Sequence, residues 1–185
     1  NTNVRPEQSR NTEAGLHYLV NEHAVDIVYF DNRTSDLINA VLVDPVSYTY
    51  QAQNVNEARI DGLELSYAGQ FGDTGIRMNA VVQNPRDLTN NRQLTRRADT
   101  HGNMAVTQKI NSLRLGAEWL YSATRPDNTR TLGEYHVFNL TAAYELSKQT
   151  KLSLRADNIT DQNDSNAYGY NPLGLAFFAS VSYQQ

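Results

Sequence analysis

The side chains best suited to chemistry in this chain are four histidines (His17, His23, His101 and His136) and an acidic trio, Asp157, Asp161 and Asp164. Neither set has the spacing its chemistry needs. Zinc is held by ligands at short, regular intervals, and these histidines are scattered, with no pair four apart and no neighbouring ligand set. A calcium loop carries a glycine where it turns, and no glycine stands among the three aspartates. The G-x-S-x-G elbow, the P-loop and the G-x-G-x-x-G string are all missing. With no cysteine, thiolate ligands and disulfides are excluded as well. The residues support no catalytic group, no resident metal and no cofactor, so the expectation is a protein that is not an enzyme. A net charge of −4 and an isoelectric point near 5.5 also argue against nucleic acid as a partner.

What the residues do form is a repeating element. In the last run Leu175, Phe177, Ala179, Val181 and Tyr183 share one face, with Ala176, Phe178, Ser180 and Ser182 on the other. Alternation at period two means a strand. Nine such runs are expected, at 12–20, 24–32, 58–68, 76–82, 101–110, 113–121, 135–146, 151–158 and the final strand. Tight turns at 21–23, 72–75, 111–112 and 147–150 alternate with long polar segments at 33–56, 83–100, 122–134 and 159–172. Facing is ambiguous only in the second run, where Val25, Ile27 and Tyr29 compete with Val28 and Phe30.

Strict alternation of short and long connections matches an antiparallel up-and-down transmembrane β-barrel, with short turns on one side of the membrane and long loops on the other. Hydrophobic residues make up 39% of the chain, mean hydropathy is −0.59, and no run of eighteen apolar residues exists, which excludes a transmembrane helix. A barrel is compatible with these averages, because only alternate residues meet lipid. Glu64, Arg77, Arg114, Glu118, Lys151, Arg155 and Asp157 fall on the polar face, which reads equally as a lumen lining or as the wet side of an ordinary sheet. Tyr18, Tyr67, Trp119, Tyr121, Tyr144 and Tyr183 fall where interfacial girdles stand, though tyrosine is also simply a good strand former. Nine strands leave two bare edges, so remaining barrel strands are expected from more chain before Asn1 or from another chain. Asn1 is not a start methionine, and the chain reads as a mature fragment.

Six strings, in order along nearly the whole chain, carry a resemblance. They are Asn3-Val4-Arg5-Pro6-Glu7, Thr34-Ser35-Asp36-Leu37-Ile38, the run from Asn54 through Ala58, Ile60, Gly62 and Glu64, Leu94-Thr95-Arg96-Arg97-Ala98, Asp157-Asn158-Ile159-Thr160-Asp161, and Tyr168-Gly169-Tyr170. Together they resemble the C-terminal barrel half of TonB-dependent outer-membrane receptors, and most closely the cobalamin receptors. The chain departs from the family where Gly174 precedes Leu175 without an arginine, and where it ends Tyr183-Gln184-Gln185 rather than on an aromatic.

The resemblance implies about nine strands of a larger barrel, of the roughly 22-stranded type. Residues 1–185 would be the C-terminal portion of the barrel domain, with the plug domain absent from this chain. It implies a Gram-negative outer-membrane location, contact with outer-membrane lipid, and a TonB protein acting through the plug. The implied ligand is a corrinoid or, as the alternative, an iron chelate. In the family, loop residues matching Arg96 and Tyr170 approach the ligand, which makes these two the candidate ligand-binding residues. The bland readings are a solvated Arg96 or one paired with Asp87 or Asp99, and a Tyr170 packed on Tyr168. A passive porin or adhesin barrel and a soluble carbohydrate-binding β-sandwich are the competing classes.

Overall fold

The computed structural model describes residues 1–163 and 166–184, with the side chain of Val55 left aside. The long strands are β1 (Gln8–Val20), β2 (His23–Asp44), β3 (Thr49–Phe71), β4 (Thr74–Asp87), β6 (Thr100–Ile110), β7 (Leu113–Ser122), β10 (Tyr135–Glu145), β11 (Thr150–Asp157) and β12 (Ala176–Tyr183). They pair antiparallel in that order as one sheet. The short β5 (Arg92–Gln93) adds to β4, while β8 (Arg125–Asp127) and β9 (Arg130–Leu132) form a small separate hairpin. Every long strand therefore lies beside its neighbour in the chain, the expected up-and-down order. Asn21, Gly72 and Asn111 take φ of 50°, 59° and 53° in the tight turns, the left-handed geometry that short hairpins need. All the tight turns lie at one end of the sheet and all the elaborated connections at the other.

Register decides the faces. Tyr18, Val25, Tyr67, Met78, Met104, Trp119 and Phe138 are successive partners across seven strands. One residue along, His17, Asp26, Ser66, Asn79 and Asn103 form a polar row on the opposite face. The ambiguous run is thereby settled: Val25, Ile27 and Tyr29 join the apolar face, and Val28 and Phe30 the polar one. Leu115, Ala117, Leu140, Ala142, Leu154, Phe177 and Val181 share the apolar face through the same pairings. Polar side chains on the other face satisfy one another, as where Asn79 donates to Glu64 (2.6 Å) and Asn139 to Glu118 (2.8 Å).

Among the described residues no second layer covers either face. Among the described residues the buried hydrophobic set is Ala58, Val81 and Ala98, while Leu16, Phe177 and Val181 keep 75%, 74% and 69% of their surface. A globular domain places such side chains in a core. Here they form a continuous exposed sheet face, which is how a wall facing hydrocarbon is built.

The structure corrects the reading of 33–56 as a long loop. β2 runs to Asp44 and β3 starts at Thr49, so the segment is a paired hairpin with its turn at 45–48. The period-two signal fails there because apolar residues fall at both parities, Leu37, Val41 and Val43 at odd positions and Ile38, Ala40 and Leu42 at even ones, and because bulges shift the register. Segment 122–134, also expected as loop, contains the β8–β9 hairpin. Bulges between Thr34 and Ile38, with Asp36 at φ 57°, bend the long hairpin.

Three of the recognised strings meet at that bend. Asn54 accepts from the Arg5 amide (2.8 Å) and donates to the carbonyls of Arg5 (2.9 Å) and Asp36 (2.6 Å). The Arg5 guanidinium pairs with Asp36, and Glu7 accepts from the Ile38 amide (2.8 Å). At Gly62 an added Cβ would stand 2.4 Å from the carbonyl oxygen of Val82, so no side chain fits. These strings mark places where the backbone must be clasped or closely approached.

Candidate ligand-binding site

The elaborated connections converge on Asp127, at the turn of the β8–β9 hairpin. Its side chain is 1% exposed. One carboxylate oxygen accepts from Arg96 Nε (2.8 Å) and the other from the Tyr168 amide (2.7 Å). The Arg96 amide also donates to the Pro126 carbonyl (2.7 Å), with Arg96 at φ 60°. Segments 88–99, 128–134 and 158–175 are thus tied through one carboxylate. The Tyr168 amide, then the Arg96 guanidinium, hold the Asp127 carboxyl below its ordinary value of 3.8.

Neighbouring groups reinforce the junction. Arg125 is buried, donates to the Gly133 carbonyl (3.2 Å) and to Asn166 (3.4 Å), and lies 5.1 Å from the Tyr135 ring centroid. Arg130 sits 3.9 Å over the Tyr168 ring, a cation–π contact between connections. Asn158, at φ 51°, accepts from the Gln162 amide (2.8 Å) and donates to the Gln162 and Leu173 carbonyls (3.0 and 3.1 Å). Asp161 accepts from the Leu175 amide (3.0 Å).

Arg96 and Tyr170 border one cavity of about 570 Å³. The apolar side chains of Leu120, Val137 and Leu173 line part of it, and the amides of Asn158, Gln162, Asn166 and Asn171 much of the rest. Arg96 is 47% exposed and engages Asp127 through Nε; among the described residues its other guanidinium nitrogens have no acceptor. Tyr170 is 73% exposed. Such a cavity can take a flat apolar body edged with hydrogen-bonding groups.

Arg96 is ion-paired within the loops, with a partner other than the two the sequence suggested. Arg96 pairs with Asp127 rather than Asp87 or Asp99, and Asp87 is taken by Arg92 at 3.3 Å. The Tyr168 ring lies under Arg130. Asp157 pairs with Arg155 (3.1 Å), and Asp161 serves the loop, so neither is arranged as a metal ligand; Asp164 lies outside the described residues. Among the described residues no three acidic or histidine side chains group to hold a metal ion. Reading the chain from its residues missed Asp127 and Arg125. The only local sign is an Arg-Pro-Asp triplet in a polar stretch, and its meaning depends on three connections meeting.

A nine-strand wall, apolar on one side and polar on the other, with elaborated connections at one end only, defines a portion of a membrane-type β-barrel. Residues 1–159 match the family described as "TonB dependent receptor-like, beta-barrel", and the chain belongs to that family. It is 26% identical, over its whole length, to the vitamin B12 transporter BtuB of Vibrio vulnificus, of which it covers 31%. Among solved structures it superposes on the copper transporter OprC with a TM-score of 0.82 at 19% identity, covering 98% of this chain and 32% of that one. The ferripyoverdine receptor of the outer membrane of Pseudomonas aeruginosa gives 0.79 at 14% identity, over 97% of this chain and 27% of that one. The chain spans about a third of the relatives it matches, and it is part of a larger barrel. The family comprises receptors and transporters rather than enzymes.

Proposed function

We propose that the chain supplies wall and ligand-binding loops to an energy-coupled receptor in the Gram-negative outer membrane, and that the ligand is a corrinoid. The observation that carries this reading is the shared cavity of Arg96 and Tyr170, on separate connections at the elaborated end of the sheet. A corrinoid is a planar apolar ring edged with amides, and the amide side chains of Asn166 and Asn171 beside a tyrosine and an arginine answer that chemistry. The relative of Vibrio vulnificus, named as a vitamin B12 transporter, supports the same ligand. The solved siderophore and copper proteins bear on fold alone. In this reading residues 1–185 are the C-terminal portion of the barrel. A plug outside this chain fills the lumen, and a TonB protein acts on that plug.

The test is labelled-corrinoid binding to cells carrying equal surface amounts of the intact receptor. Arg96→Ala and Tyr170→Ala should each weaken binding about thirtyfold, near 2 kcal/mol, without lowering barrel yield. Unchanged affinity in both variants would leave these residues as ordinary loop side chains and remove the corrinoid assignment. Specific binding of a labelled ferric siderophore that excess corrinoid does not displace would turn the assignment to an iron chelate.

A further inference from the structure

The outward face does not stop at its apolar band. Beyond the row Ala14–Tyr29–Leu63–Val82 comes a polar row, Thr12–Asp31–Asp61–Asn84, and beyond that the paired residues are Arg10, Arg33, Arg59 and Arg86. Cross-strand partners share a face, and all four arginines have the parity of Tyr29 and Leu63. The row stands on the same side as the apolar band, at its rim towards the elaborated connections. At ordinary strand spacing it extends about 14 Å.

Like charges directly opposite one another destabilise a sheet, and here four are in line on four adjacent strands. Only part of that charge is answered within the chain. Asp31 accepts two bonds from Arg59 (3.0 and 3.0 Å) and two from Arg33 (3.3 and 3.2 Å). Asp61 lies 3.5 Å from Arg59 Nε, and Arg86 donates to Asn84 (2.9 Å). With Glu57 two residues from Arg59 at the same parity, four guanidinium groups stand against three carboxylates, so one positive charge is left over. The Arg33 side chain remains 59% exposed. A cavity of about 200 Å³ opens among Arg10, Thr12, Tyr29, Asp31 and Arg33, where guanidinium groups meet the first ring of the apolar band.

The geometry points to a binding site for the phosphorylated headgroup of an outer-leaflet glycolipid on the rim of β1–β4. This rests on the reading of the apolar face as lipid-facing. Arginine holds phosphate through two parallel hydrogen bonds and keeps its charge at any physiological pH. A free phosphate would use the guanidinium groups alone. A phosphorylated glycolipid also lays acyl chains along Tyr29 and Leu63, past the intervening Asp31 and Asp61.

The experiment uses the intact receptor in detergent and two probes: a bisphosphorylated, multiply acylated glucosamine disaccharide and its dephosphorylated counterpart. Wild type should prefer the phosphorylated form about tenfold, and Arg10→Gln with Arg33→Gln should abolish the preference while leaving dephosphorylated binding unchanged. Arg86→Gln, which leaves both partners of Asp31 in place, should lose part of it. Equal binding of the two glycolipids by wild type, or an unchanged preference in the double variant, overturns the site. Complete displacement by equimolar inorganic phosphate overturns the lipid as its source. A fluorophore at Ala142→Cys, exposed to brominated acyl chains, separates the two readings. Quenching without phosphate preference removes the arginine site and leaves the barrel wall standing, whereas no quenching removes both.

Discussion

At the scale of single residues, the decisive group is Asp127, because three connections share its carboxylate. Arg96 has a double part there: it borders the cavity, and through Asp127 it sets where the Tyr168 amide and the following residues lie. The Tyr168 amide and Arg96 depress the Asp127 carboxyl, so the ionised form is favoured by the folded loops. The sign follows from linkage. A depressed carboxyl contributes fully above its unfolded value near 3.8, and the contribution disappears as pH falls through the lower native value. Protection of the Tyr168 amide from hydrogen exchange should hold from neutrality to about pH 4 and decline below it. Asp127→Asn, measured the same way, should show reduced protection already at neutral pH and little further change on acidification. An acid response that persists unchanged in the variant would place the titrating group elsewhere.

At the scale of elements, the long β2–β3 hairpin needs help that its own pairing does not supply. Its bulges interrupt the ladder between Thr34 and Ile38, and the start of the chain fills the gap through Asn54, Asp36 and Glu7. Each such hydrogen bond contributes roughly 0.5–1.5 kcal/mol net. Asn54→Ala removes three, so the hairpin tip should loosen while the membrane-spanning rows stay paired. Limited proteolysis of the intact receptor should then cut between residues 37 and 53 at least several-fold faster than in wild type, with heat resistance of the barrel unchanged. Equal cutting rates would mean that the ladder beyond the bulges holds unaided.

For the molecule as a whole, the two faces of the sheet obey different rules. Leu115 and Ala142 are cross-strand partners on the apolar face, whereas Glu118 and its partner Asn139 lie on the polar one. In a bilayer folding assay on the intact receptor, Ala142→Arg should cost about 2–4 kcal/mol if the position lies near the midplane. Glu118→Gln should cost far less, because a side-chain amide can still accept from Asn139 and the lumen face is wet. Equal tolerance of charge on both faces would refute the lipid-facing wall. The described sheet also keeps β1 and β12 as edges, consistent with a segment of a wall that other strands continue.

Nine strands, their order and, outside the second run, the alternation of their faces were legible in the residues alone. A strand between lipid and a wet lumen must alternate apolar with polar, and that alternation can be read one residue at a time. Tyr18, Tyr67 and Trp119 are an example: they prove to occupy one row. The facing of Val25 against Val28 was not legible, because apolar residues occur at both parities there and only the neighbours' register chooses. Nor was the hairpin within 33–56, since Leu37 to Val43 are apolar at both parities and bulges shift the register, which leaves no period to detect. Arg96 and Tyr170 could be singled out only through the resemblance, and their common cavity required tertiary structure. So did Asp127 and the line of four arginines. Each depends on residues brought together from separate strands or connections, where pairing register and loop convergence, rather than local sequence, set the distances.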